Sequence, residues 1–138
     1  MKFNVSQQLD FPPEITVNGF QNNICVVTET KLLGVILTDD LRWASNTKYI
    51  CTKAYKKLWV LRRLRVLDVG QEILCDVYQK EVRSVLEVAV PAWHSGLTLA
   101  QADQIERVQR VAVKIILGKS SISYAEGLSI LGLETLIV

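Results

Sequence analysis

From Arg42 to Arg65 the chain carries eight basic residues and no acidic one, and apolar residues recur through the same stretch at helical spacing. Ile50, Ala54, Leu58, Leu61 and Leu64 fall along one side of a helix. Such a helix must bury that stripe against other elements and leave its lysines and arginines outside. The spacing predicts a start at Ser45 or Asn46, either of which can cap, and an end at about Leu67. Lys53, Lys56 and Arg63 point away from the stripe, Lys48 lies at its edge, and Arg62 and Arg65 fit neither side cleanly. Tyr55 and Trp59, one turn apart, border the basic face.

The chain has 16 basic and 14 acidic residues, so outside this window 8 basic residues face 14 acidic ones, a net −6. Exposed helices normally mix both signs and gain i,i+4 pairs. A face with one sign only, interleaved with aromatic rings, points to a polyanionic partner. Lys48, Lys53, Lys56, Lys57, Arg62 and Arg63 are the candidate nucleic-acid-binding residues, with phosphates as their targets.

The rest of the sequence divides around this helix. With 138 residues, 49% of them hydrophobic, the chain is long enough to bury a core without staples. Residues 1–43 read as β-structure: Asn18-Gly19 is a hairpin signal, and "ICVV" and "KLLGVIL" are strand candidates separated by the polar "TET". Pro12-Pro13 would break any regular element before them. A second helix is predicted from near Gly70 to just before Pro91, which stops it. Its apolar positions are Ile73, Leu74, Val77, Tyr78, Val82, Val85 and Leu86. Thr98 with Gln101 matches a capping box opening a third helix, and Gly118 sits where a left-handed terminal residue is wanted. The core stripe of this helix is Ile105, Val108, Ala112, Ile115 and Ile116. Ser123 with Glu126 repeats the box for a short fourth helix ending near Gly132. The expected fold class is α+β, a small N-terminal antiparallel β-hairpin or sheet followed by a bundle of three to four helices, with residues 1–43 the β-rich part and 44–138 the helical part.

Catalytic chemistry finds little footing. Asp39 and Asp40 follow an apolar run, as metal-binding carboxylates do in polymerases. Neighbours on a strand, however, point to opposite faces, and two-metal catalysis needs further carboxylates. "TDDL" suits a turn or an Asx-type cap. His94 lies in a loop without a nucleophile turn. Cys25, Cys51 and Cys75 form no CxxC and read as reduced thiols of an intracellular protein, cytoplasmic or nuclear, with Cys51 and Cys75 buried and inert. No catalytic residue, metal ligand or cofactor is assigned. No apolar run approaches the length of a membrane span.

The residues nevertheless carry a family likeness. "KLLGVILTDDLRWASNTKYICTKAYKKLWVLRRLR", then "VYQKEVRSVLEVAVPAWHSGLT", "QIERVQRVAVKIILG" and "SYAEGLSILGLETL" resemble, in order and spacing, the C-terminal reverse-transcriptase region of non-LTR (LINE-type) retrotransposons. The opening "MKFN" resembles that family's Lys–Phe–Asn strand. The resemblance implies the end of the palm, a primer-grip-like hairpin at Leu33 and Gly34, and the helical thumb. In the intact enzyme these parts hold the primer and the RNA–DNA hybrid. The family's catalytic Asp-Asp hairpin, with its magnesium, lies upstream and has no counterpart in this sequence.

The expectation is therefore a non-catalytic fragment of an RNA-directed DNA polymerase that binds an RNA–DNA hybrid or duplex without sequence preference. Trp43 is expected to anchor the turn against the first helix. The alternatives are a helical protein–protein interaction module, self-associating through apolar surface left by the missing palm and fingers, and a non-functional relic. An end at "LETLIV" with no polar tail fits a truncated element.

Overall fold

The structure, a computed structural model, describes residues 14–15, 24–118 and 122–136. Strand β1 (Glu14–Ile15) pairs antiparallel with β2 (Ile24–Cys25), and β3 (Glu29–Leu32) with β4 (Val35–Thr38). Helix α1 (Ala44–Val66) follows. Next, α2 (Gln71–Val77) runs through a π-helical segment (Tyr78–Arg83) into α3 (Ser84–Leu86). One-turn α4 (Val90–Trp93), a 3₁₀ turn (His94–Gly96), α5 (Leu99–Leu117) and α6 (Tyr124–Leu131) complete the order. The fold class is α+β, as the sequence predicts. The Asn18-Gly19 turn, Pro12-Pro13 and the "MKFN" strand lie outside the described residues.

The strands differ from the periodicity reading. "KLLGVIL" is not one strand: Leu33 and Gly34 form a two-residue turn, and Leu32 pairs with Val35. Both turn residues have positive φ, 48° and 87°, the pattern of a type I′ turn, whose twist matches that of the flanking strands. Glycine takes this conformation freely, while Leu33 is strained in it. The polar "TET" is no separator either, since Glu29 opens β3, and Val26 and Val27 lie exposed beyond β2.

Ser45 and Asn46 do not cap α1. The helix starts one residue earlier, after Trp43, with no side-chain cap, because Asn46 has another task. It is fully buried, and its Oδ1 accepts the backbone N–H of Ile36 at 3.1 Å, docking β4 on the helix. Val35 is buried beside it. Trp43 is half-buried against the core, and a Cβ on Gly96 would stand 2.6 Å from its Cδ1, so the indole also fills the space glycine leaves in the 3₁₀ turn.

The core stripe of α1 holds. Ile50, Ala54, Leu58 and Leu61 are buried and Leu64 is half-buried, facing Val108, Ala112 and Ile116 of α5 and Tyr78 and Val82 of the π segment. Ile105 is also buried, while Ile115 is half-buried.

The second predicted helix is broken where the sequence reading kept it whole. Helix α3 ends at Leu86, Ala89 turns left-handed at φ 53°, and Pro91 stands in the first turn of α4 rather than beyond a helix end. The missing N–H of proline costs nothing there. Ile73, assigned to the core, is exposed. Leu74, Tyr78, Val82 and Leu86 are all buried. Four-residue steps drift by about 40° each on an α-helix, and the wider π turn reduces that drift, so one ladder stays aimed at the core.

Both capping boxes form. Thr98 Oγ1 accepts from Gln101 N and Gln101 Oε1 from Thr98 N, and Ser123 and Glu126 do the same. Gly132, at φ 62° and ψ 31°, closes α6 in a Schellman motif, with Leu133 N donating to Leu128 O at 2.9 Å. Gly118 departs from expectation. Its φ of 77° comes with ψ −153°, outside the left-handed helical region and in one that is essentially glycine's own.

Candidate nucleic-acid interface

Helix α1 has no acidic residue in its first turn and basic Arg63 and Arg65 in its last. That arrangement favours the negative end of the helix dipole and leaves the positive end without a counter-charge. Lys48, Lys53, Lys56, Arg62 and Arg63 are exposed. Among the described residues none of these five has a carboxylate within 4.0 Å, whereas several basic side chains of the following helices are paired. Lys80 bonds Asp76, Arg83 bonds Glu87, and Arg107 and Arg110 both reach Asp103. Lys57, the sixth predicted contact, is turned to the π segment, where its Nζ pairs with Glu81. Its charge is thus partly neutralised within the fold.

At 100° per residue, Lys48, Thr52, Tyr55, Lys56, Trp59 and Arg63 share the face opposite the core stripe, so Lys48 stands on this face rather than at its edge, and Lys53 and Arg62 lie on its two flanks. Arg65 sits differently. It is half-buried, and a Cβ on Gly118 would meet its Nη2 at 2.9 Å, so the guanidinium lies against the C-terminal end of α5. A cation is favourable at that end of a helix. Arg62, Arg65 and Lys114 line a groove between the ends of α1 and α5 whose apolar side is Val66, Ile115 and Ile122. The sequence reading missed Lys114 because it lies in a different helix, 49 residues beyond Arg65 at the end of the basic run.

The Leu33-Gly34 turn does not join this face. A Cβ on Gly34 would stand 3.9 Å from Val88 Cγ1, placing the turn beside the break between α3 and α4. Leu33 is 92% exposed. Lower on the hairpin, Lys31 Nζ donates to Tyr49 OH at 2.7 Å and lies 4.7 Å from its ring centre, tying β3 to α1. That hydrogen bond holds the Tyr49 hydroxyl below its ordinary pKa.

Asp39 and Asp40 act as turn residues. Asp40 Oδ1 accepts from Thr38 Oγ1 at 2.7 Å and from Arg42 N at 3.0 Å, and Asp39 Oδ1 accepts from Asp40 N. The Thr38 bond, then the Arg42 N–H, keeps the Asp40 carboxyl below the usual range. Among the described residues no group of three or more His, Cys, Asp or Glu side chains gathers as a metal site, and no helix is long and apolar enough to cross a membrane. His94 is half-buried in the 3₁₀ turn. Cys51 is buried, which pushes its thiol up to about 11, and burial raises the half-buried Cys75 as well. Neither is a thiolate near neutrality.

The chain matches no protein-family profile, and no curated protein or solved structure is significantly similar to it.

Proposed function

We propose that this chain is a non-catalytic fragment of a non-LTR retrotransposon reverse transcriptase, its palm end and thumb, and that α1 binds nucleic-acid backbone such as that of an RNA–DNA hybrid. The observation that carries the binding part is the exposed cationic face of α1, five side chains without a carboxylate partner among the described residues. Such a face tracks phosphates and positions a strand without reading sequence. Magnesium belongs to the intact parent enzyme, and this chain is not expected to incorporate nucleotides.

The test is affinity for an RNA–DNA duplex as salt is varied. With four or five phosphate contacts, log K should fall against log salt with a slope of about −4. Lys56→Ala and Arg63→Ala should each reduce that slope by about one. Absence of salt-dependent binding at low ionic strength overturns the proposal.

A second reading rests on the hairpin. Leu32, Leu33 and Val88 are exposed around one turn, an apolar patch suited to protein contact or self-association. Leu33→Asn supplies the residue preferred in a type I′ turn and removes the apolar tip. A stable dimer in sedimentation that Leu33→Asn dissociates, together with no hybrid binding, favours this reading over the first.

A further inference from the structure

Three tryptophans occupy three different environments. Trp93 is 2% exposed, with its Nε1 donating to Val88 O, and Trp43 is half-buried against Gly96, while Trp59 is 64% exposed in the middle of α1. Tyr55, one turn before it, is 41% exposed. Neither ring belongs to the core or to the shell packed against it. Both stand on the outward face of α1, with Lys48 before them along the helix, Lys56 beside them, and Arg62 and Arg63 after them. Among the described residues that face carries no carboxylate, so it suits a polyanion and repels nothing in one.

We propose that Tyr55 and Trp59 form a stacking platform for unpaired bases, so that α1 takes single-stranded nucleic acid in preference to a duplex. The inference rests on the backbone-binding reading above and specifies the form of its partner. In a duplex the base faces are covered by their neighbours, and a ring on a helix lying along the backbone gains nothing from them unless a step is unstacked, which opposes binding. An unpaired strand offers every base face, and stacking on aromatic rings is tolerant of sequence. Residues four apart rise about 6 Å along the helix on the same side, so the two rings serve successive bases. Lys56, three residues before Trp59, and Arg62 and Arg63, three and four residues after it, are within a turn of the ring and reach the phosphates that flank a stacked base.

The experiment compares a fluorescein-labelled oligothymidine of roughly 15 nucleotides, within the usual site sizes for such surfaces, with a DNA duplex and an RNA–DNA hybrid of equal length at low salt. The oligothymidine should bind more tightly than either duplex and should quench tryptophan fluorescence. Trp59→Ala should weaken oligothymidine about tenfold or more, abolish most of the quenching and change duplex affinity by less than about twofold. Tyr55→Ala should act in the same direction, Trp59→Phe should retain most of the affinity, and Lys56→Ala should weaken all three ligands. Trp59 is exposed, so its replacement should leave the thermal unfolding curve unchanged, which is checked on the same samples. Equal binding of strand and duplex, or a Trp59→Ala variant indistinguishable from the parent, overturns the stacking proposal and leaves backbone binding standing. Absence of binding to all three ligands overturns both. Dissociation of a dimer by Trp59→Ala without loss of oligothymidine binding also overturns it, assigning the ring to self-association.

Discussion

The backbone N–H of Ile36 donates to Asn46 Oδ1 across 3.1 Å, so a strand paired on only one side is held on its other by a helix side chain. Two strands alone make a marginal element in water, and this bond fixes the hairpin at the start of α1. Replacing Asn46 by Ala leaves a part-buried donor without its acceptor. The expected loss of stability is about 1–3 kcal/mol, read from urea unfolding. Faster hydrogen exchange at the Ile36 amide should accompany it. Unchanged exchange there would show that the hairpin does not depend on Asn46.

Helix α6 approaches α5 through Gly127. A Cβ at that position would stand 2.7 Å from Val113 Cγ1 and 3.2 Å from Leu117 Cδ1. Both Gly127 and Val113 are buried, so neither helix yields without cost. Gly127→Ala should therefore destabilise by about 1–3 kcal/mol despite alanine's better helix propensity. Adding Val113→Ala removes the obstructing methyls, and the pair should cost less than the two single changes added together. Strict additivity in thermal or urea unfolding would place the clash elsewhere.

How much of this was legible in the sequence depends on whether a feature is local. The capping boxes at Thr98 and Ser123 are three-residue patterns whose hydrogen bonds close on themselves, and both form as read. The stripe of α1 needs only the 3.6-residue period, and Ile50, Ala54, Leu58 and Leu61 are buried as read, with Leu64 half-buried. Asn46 was misread because a cap and a tertiary acceptor use the same side-chain oxygen, and only the docked strand decides between them. The left-handed Ala89 has no sequence signature, since alanine disfavours that conformation. The π segment left a faint one in the four-residue ladder of Leu74, Tyr78, Val82 and Leu86. For the candidate interface, the charge was legible but its division was not. Lys57 pairs with Glu81, twenty-four residues away, and Arg65 meets Gly118 across the bundle. Pairings of that range are set by packing, which a one-dimensional pattern does not contain.

Glu106 and Gln109 are polar residues on the buried side of α5, and together they hold the chain that follows α6. Glu106 Oε2 accepts from Leu136 N at 3.0 Å, and its other oxygen accepts from the Tyr124 hydroxyl. Gln109 Nε2 donates to Glu134 O at 2.9 Å, while its Oε1 accepts from Tyr78 OH at 2.6 Å. A connected network of this kind loses more than one bond when a member is removed. Glu106→Ala should cost about 2–4 kcal/mol by urea unfolding, since it strands the Leu136 N–H and removes the acceptor of the Tyr124 hydroxyl, which keeps only the Gln109 amide. Exchange at the Leu136 amide should rise well before global unfolding does. Protection at Leu136 equal to that of the parent would detach this segment from Glu106.

Stability should fall on the alkaline side. Burial pushes the Cys51 thiol up to about 11, and burial also raises the hydroxyls of Tyr78 and Tyr124, with Glu106 adding to the latter. In the unfolded chain these groups ionise at their ordinary values, about 8.5 for cysteine and 10 for tyrosine. Between the unfolded and folded values the unfolded chain has released protons that the folded one retains, so stability declines as pH rises. The contribution is fully present below about pH 8.5 and is lost progressively toward pH 11 for Cys51 and beyond it for the tyrosines. Urea midpoints at half-unit steps from pH 7 to 11 should therefore be level at first and then fall. Cys51→Ala should flatten the earliest part of the decline, by up to about 2 kcal/mol. A midpoint constant to pH 11, or a decline unaltered by Cys51→Ala, would contradict the buried thiol's part in it.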